Sequence, residues 1–307
     1  MLRHTMWNLQ CVILFPLMLS CAQCASILFY SGPTTYSHRI ALMPFAERLA
    51  ADGHDVTYLS GSLPKKPNVN VTEFSPKALQ DFTEARFGTH TDLVQMRMDG
   101  VHIDVWYHLE DIGTGMCEIL MQDEEYLNLV KNKKFDLVVL DMFNNECAYG
   151  LIHYQKAKFV IYNPTHPMQW HYDLFGIPAE TSWISDLAYG YEYPMSFPQR
   201  FMNTLRHVRW YYTRVYNMYP KLEAMINKGL GLEGDNAVSI QDVQHNVSVV
   251  FTCTHYSVDY SRSLPPLFVN VPGLHVENTK GELPKVLHLS CLFNSSKVSI
   301  LSFFHRT

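Results

Sequence analysis

The chain has 307 residues, 47% hydrophobic and 13% aromatic, which suits one large or two modest folded domains and excludes a disordered chain. A formal net charge of -5 at pH 7 gives no basic footprint of the kind that releases counterions from nucleic acid, so DNA and RNA are not expected partners. The one lysine-rich run, Lys131 to Lys134, reads as the solvated end of a helix.

Residues 1–25 combine a weakly basic start at Arg3, an apolar stretch from Cys11 to Leu19, and small residues at Ser20, Cys21, Ala22 and Ala25. That is the pattern of a secretory signal peptide, cleaved after Ala22 or Ala25, with an apolar core shorter than the roughly 20 residues a bilayer span requires. No later segment reads as a membrane anchor. Cys11 and Cys21 would leave with the leader, and Cys21-x-x-Cys24 falls on its cleavage region, so no redox role is read from it. Cys117, Cys147, Cys253 and Cys291 are scattered, match neither a zinc nor a disulfide framework, and are expected to include buried thiols. Sequons at Asn70, Asn246 and Asn294 are candidate N-glycosylation sites and agree with lumenal exposure.

After the leader, Ser26 to Tyr30 reads as a buried strand, followed by a helix from His38 to Ala51 that Gly53 stops. Strands are expected at 56–60 and 70–74, helical patterns at 76–87 and 104–110, and a stronger helix from Gly115 to about Asn132. Leu137 to Leu140 is β-branched-rich with no alternation, as in a strand covered on both faces, and ends at Asp141. A helix at 146–154, a strand at 159–162, a helix at 198–228 and a strand at 247–252 continue the alternation, which predicts an α/β fold with a doubly wound parallel sheet, Rossmann-like. This domain is expected over 26–263. Prolines at 265, 266, 272 and 284 then mark a connector over 264–287, before a tail of different character over 288–307.

Ligands in such sheets bind at the carboxyl ends of strands, where the strand order reverses. If 27–30 and 137–140 are neighbours there, His38 and Asp141 meet. A carboxylate beside a histidine orients the ring and stabilises the imidazolium, the arrangement of a general base for a hydroxyl. The helix N-terminus adds an opposing effect, its positive end disfavouring protonation. Read from pattern alone, the same residues also suit a capping histidine and a turn aspartate. The loop 31–37 lacks G-x-G-x-x-G, and no P-loop, G-x-S-x-G or H-E-x-x-H occurs, which disfavours dinucleotide binding, hydrolase and metalloenzyme chemistry. His102 and His108 around Asp104, and His166 with His171, can each be drawn as metal pairs but lack a third ligand. The aromatic segment from Tyr189 to Tyr219 either lines an apolar pocket or packs a helix onto the sheet.

Three stretches in order resemble the UDP-glucuronosyltransferases, especially invertebrate members of the UDP-glycosyltransferase family: SHRIALMPFAERLAADGHDVTYLSG from Ser37, FDLVVLDMF from Phe135, and DYSRSLPPLFVNVPGLHVENTKGELPKVL from Asp259. The resemblance implies the N-terminal, acceptor-binding domain of a GT-B glycosyltransferase, with His38 at the position of the catalytic base and Asp141 at that of its partner. It implies inverting transfer from a UDP-sugar, UDP-glucuronate or UDP-glucose, to a small lipophilic acceptor, with no cofactor beyond that co-substrate and no metal.

Family members continue into a donor domain, a transmembrane helix and a basic tail, none of which is expected in these 307 residues. The polypeptide by itself is therefore expected to transfer little sugar, since the contacts that position the donor are missing. Full-length relatives sit in the endoplasmic reticulum membrane, whereas this form would be lumenal or secreted, and a homo- or hetero-oligomer stays open. The alternative is a non-catalytic fragment that binds lipophilic ligands or modulates partners.

Overall fold

Apolar runs such as Ile27–Tyr30 and Leu137–Leu140 have no polar face to turn to water, so they are stable only when covered on both sides. The computed structural model describes residues 24–276 except 34, 65, 67, 89–97, 100–108, 187–188, 256, 258, 261 and 275. In it these runs lie at the centre of a seven-stranded sheet of order β3-β2-β1-β4-β5-β6-β7. The strands are β1 (Ser26–Ser31), β2 (Asp55–Ser60), β3 (Thr72–Phe74), β4 (Leu137–Asp141), β5 (Lys158–Asn163), β6 (Val250–Thr252) and β7 (Phe268–Asn270). Every pairing is parallel. The order reverses between β1 and β4, where Ile27–Tyr30 pair residue by residue with Leu137–Leu140, as the sequence predicts.

Successive side chains of a strand point to opposite faces. Ile27, Phe29, Val56, Tyr58 and Val139 pack on one face with Ala41, Leu42 and Ala46 of α1 (Tyr36–Ala51). Leu28, Tyr30, Val138 and Leu140 pack on the other, against Met116 and Leu120 of α3 (Leu109–Leu120), Leu151 of α5 (Ala148–Gln155) and Leu222 and Ile226 of α8 (Tyr219–Leu230). Each such side chain contributes about 1.5–3 kcal/mol by leaving water. The remaining helices are α2 (Lys77–Phe87), α4 (Glu124–Asn132), α6 (Gln169–Leu174), α7 (Phe197–Thr213) and α9 (Ile240–Gln244).

The structure departs from the sequence reading in several places. The helix expected over 115–132 is two, α3 and α4, because the Asp123 side chain accepts the Tyr126 N–H at 2.7 Å and caps a new start. The helix expected over 198–228 is broken by a π turn at Arg214–Met218, after which α8 opens with Pro220 in its first turn. None of α6, α9 and β7 is foreseen, and β7 falls inside the stretch read as a connector over 264–287. Cys117 and Cys147, read as unpaired, form a disulfide with Cα atoms 5.2 Å apart. The bond joins α3 to the residue before α5, two elements that the folded layer, not the sequence spacing, brings within bridging distance. Cys253 is free and half-buried, and Cys24 is free and exposed. The leader up to residue 23, the tail 288–307 with Cys291 and Asn294, and the His102, Asp104, His108 group lie outside the described residues.

Candidate active site

The site forms where the loops after β1 and β4 diverge. His38 is the third residue of α1, and the helix is anchored immediately beside it by Arg39, a buried arginine. Arg39 donates to Ser60 Oγ and the Ser62 carbonyl, each at 3.1 Å, pairs with Glu73, and lies 4.6 Å over the Tyr58 ring. The start of α1 is thus fixed to β2 and β3 by charge-assisted bonds that a solvent-facing helix end would lack.

Asp141, the last residue of β4, has no exposed side-chain surface. One carboxylate oxygen, Oδ2, lies 2.8 Å from His38 Nδ1 and accepts Ser31 Oγ at 3.2 Å. The other accepts the Phe143 N–H at 2.9 Å. An ionised carboxylate can only accept, so Nδ1 of His38 carries its hydrogen and Nε2 keeps the lone pair. The His38 side chain is 15% exposed, so its ring reaches the surface while its partner stays buried. Burial pulls the His38 pKa down, but the charge of Asp141 and its hydrogen bond outweigh burial and raise it above 6.5. The carboxylate thus acts against the helix dipole, whose positive end favours the neutral ring.

The loop after β4 carries further positioning groups that the pattern Asp-Met-Phe-Asn-Asn did not single out. Asn144 takes a left-handed φ of 54°, a conformation asparagine tolerates better than most residues. Asn145 accepts the Gly32 N–H at 2.7 Å and donates to the Phe143 carbonyl at 2.7 Å, tying the β1 loop to the β4 loop. A Cβ on Gly32 would collide with Met116 and come within 2.9 Å of Asn145 Oδ1, so the close approach requires glycine. Phe143 sets its ring 5.2 Å from the His38 ring and packs on a cluster of Ile112, Met168 and Trp210. A local signal existed in the two adjacent asparagines, which favour turns, but their partners are tertiary.

Of the aromatic segment, Tyr189 and Trp210 line a cavity of about 160 Å³ whose wall is mixed rather than apolar, with Met202 and Leu205 beside Glu110, Arg206, Arg209 and Thr213. Trp210 also belongs to the buried cluster of Ile112 and Met168 beneath Phe143, which includes no strand residue. His171 is buried: its Nδ1 accepts the Met168 N–H at 3.1 Å, and burial together with neighbouring His166 pushes its pKa down to about 3. Among the described residues no three His, Cys, Asp or Glu side chains are grouped to hold a metal ion. Asn70 and Asn246 are both exposed.

The chain is 26% identical to UDP-glucosyltransferase 2 of Dactylopius coccus over 301 residues, covering 97% of this chain and 56% of the relative. It is 21% identical to human UDP-glucuronosyltransferase 1A9 over 306 residues, 95% of this chain and 55% of the human protein. The chain spans about half the length of these relatives. The calicheamicin glycosyltransferase CalG4 matches at 15% identity and a TM-score of 0.45, over 81% of this chain and 53% of its own. Residues 27–297 match the family model described as UDP-glucoronosyl and UDP-glucosyl transferase, and the chain belongs to that family.

Proposed function

We propose that this chain supplies the acceptor-activating side of glycosyl transfer from a UDP-sugar, with His38 as general base and Asp141 as its partner. The observation that carries this reading is the 2.8 Å contact between His38 Nδ1 and a fully buried Asp141 carboxylate. Nε2 of His38 takes the proton of an acceptor hydroxyl as its oxygen attacks the anomeric carbon. The bond from that carbon to UDP breaks with its electron pair leaving on the phosphate, and the configuration inverts. The imidazolium forms beside a carboxylate already in place, so little reorganisation is needed as charge develops. UDP-glucuronate and UDP-glucose are the donors that fit the family.

The acceptor is a small lipophilic molecule. Phe143 beside the base, backed by Ile112, Met168 and Trp210, offers it apolar surface. The protein works in the secretory pathway, a reading supported by the Cys117–Cys147 disulfide, because such bonds persist in oxidising compartments. The exposed sequons at Asn70 and Asn246 fit the same compartment.

Because the chain by itself is expected to transfer little sugar, the test is UDP release by the chain joined to a relative's donor domain, given a UDP-sugar and a phenolic acceptor. Replacing a general base removes roughly 10²–10⁴-fold of rate, so His38→Ala should lose that much kcat/KM while keeping its fold. Equal activity in the variant would remove His38 from the chemistry. The cavity beside Trp210 favours a second reading, a protein that binds lipophilic ligands without turnover. In that case a phenolic ligand binds equally to wild type and to His38→Ala, and neither releases UDP.

A further inference from the structure

His38 rides on a poorly secured end of its helix. Thr35 stands at the N-cap, but its hydroxyl bonds the Ser37 hydroxyl at 2.7 Å instead of capping a backbone N–H, and no acidic residue occupies the first turn. Pro44 lies inside α1 and has no N–H for the Ile40 carbonyl, so the ladder tying the first turn to the rest lacks a bond. Packing adds little. Of residues 36–40 only Arg39 is buried, whereas Tyr36 is 67% and Ile40 42% exposed. The turn that carries His38 is tethered by His38 to Asp141 and by Arg39 to the sheet.

Both tethers land on one rung of that sheet. Asp141 accepts from Ser31, Arg39 donates to Ser60 Oγ at 3.1 Å, and Ser31 and Ser60 are register partners on β1 and β2. Tyr58 and Glu73 are register partners on β2 and β3, and Arg39 covers both, its guanidinium 4.6 Å over the Tyr58 ring and paired with the Glu73 carboxylate. Tyr58 in turn stacks on Phe29 of β1, the ring centroids 5.8 Å apart. The planar fork of an arginine bonds a carboxylate, a hydroxyl and a carbonyl at once while lying on a ring, which the point charge of an ammonium does not. A buried ion pair is weak evidence for stability, because apolar replacement of both partners is often neutral. What this pair adds is a fixed direction for the residue beside His38.

We propose that Arg39, paired with Glu73, is a positioning residue that holds the first turn of α1 over the Ser31–Ser60 rung and thereby keeps His38 on Asp141. Its consequence for transfer rests on the reading of His38 as the general base.

Arg39→Leu with Glu73→Leu removes one charge of each sign, so the net charge is unchanged and a change at His38 reports geometry. In the full 307-residue chain this variant should keep the circular dichroism spectrum of wild type. The NMR titration of its His38 ring should fall by about one pH unit, and the His38 Nδ1–H should exchange with water about tenfold faster. A titration or an exchange rate unchanged in the folded variant overturns the proposal and leaves Arg39 a part of the fold alone. If the variant fails to fold, Arg39→Lys decides: it keeps the charge but does not reach Glu73, Ser60 and Ser62 together, so the exchange should quicken severalfold. An unchanged rate there overturns the proposal. Joined to a relative's donor domain, the double variant should lose roughly tenfold to 10²-fold of kcat with the acceptor KM within about twofold. Changes at the His38 ring without a loss of kcat keep Arg39 as the anchor and reject His38 as the base, so the two readings fail separately.

Discussion

Asp141 holds His38 Nδ1, Ser31 Oγ and the Phe143 N–H on a carboxylate with no exposed surface, so its charge acts on the ring with little screening. The effect on pH dependence has a definite sign. The His38 pKa is raised in the fold above 6.5, so its contribution to stability is fully present below that value and is lost as pH rises through the folded pKa. In Asp141→Asn the lowering by burial is unopposed, and an NMR titration of the His38 ring should move to lower pH. The acid limb of kcat/KM should follow it, lying above pH 6.5 in wild type and moving down in the variant, with an overall rate lower by about 10²-fold or more. A limb that stays in place would mean that Asp141 does not tune the base. Ser31→Ala removes one of the donors to the same oxygen and leaves His38 its partner, so it should shift the limb far less.

At the scale of elements, what the sequence allowed to be read follows the range of the interaction. β1 and β4 were legible because both are short unbroken apolar runs, and His38 and Asp141 followed from their order. The start of α4 was written locally in Asp123-Glu124-Glu125, a cap with an acidic first turn, yet the apolar periodicity across it masked the signal. The Cys117–Cys147 bond was not legible, since its partners are 30 residues apart on different elements and meet only in the packed layer. Closing a loop of that length stabilises by about 3.6 kcal/mol in the chain-entropy account, so Cys117→Ser with Cys147→Ser should lower the unfolding free energy by about that amount in urea titrations. Nor was the orientation of α7 legible: its periodicity shows which residues share a face but not which way that face turns. Asn203 decides it, accepting the Asp186 N–H at 2.7 Å and donating to two carbonyls. Asn203→Ala should therefore cost roughly 2–4 kcal/mol, because buried polar partners lose their bonds, whereas Phe201→Ala on the outer face should stay within about 0.5 kcal/mol. Equal effects in urea titrations would contradict that orientation.

For the whole molecule, the strand order places the candidate site at the most protected part of the sheet. β1 and β4 lie in its middle, each flanked by strands on both edges and by packed layers on both faces. Their amides open only when the layers separate, whereas β7 is an edge strand whose Val269 is 41% exposed. Local opening is easiest where few buried apolar contacts are lost. Hydrogen exchange should then divide the sheet. Amides of Leu28–Tyr30 and Val138–Leu140 should exchange only through global unfolding, with urea dependence matching the equilibrium slope, and those of Phe268–Asn270 should exchange earlier with little urea dependence. Reduction of the disulfide should lower the protection of β1 and β4 together and by the same free energy as the loss in global stability, since α3 and α5 cover the same face of both strands. Protection falling at β4 alone would mean that the two halves of the site are held independently. A common fall makes the His38–Asp141 pairing as durable as the fold itself.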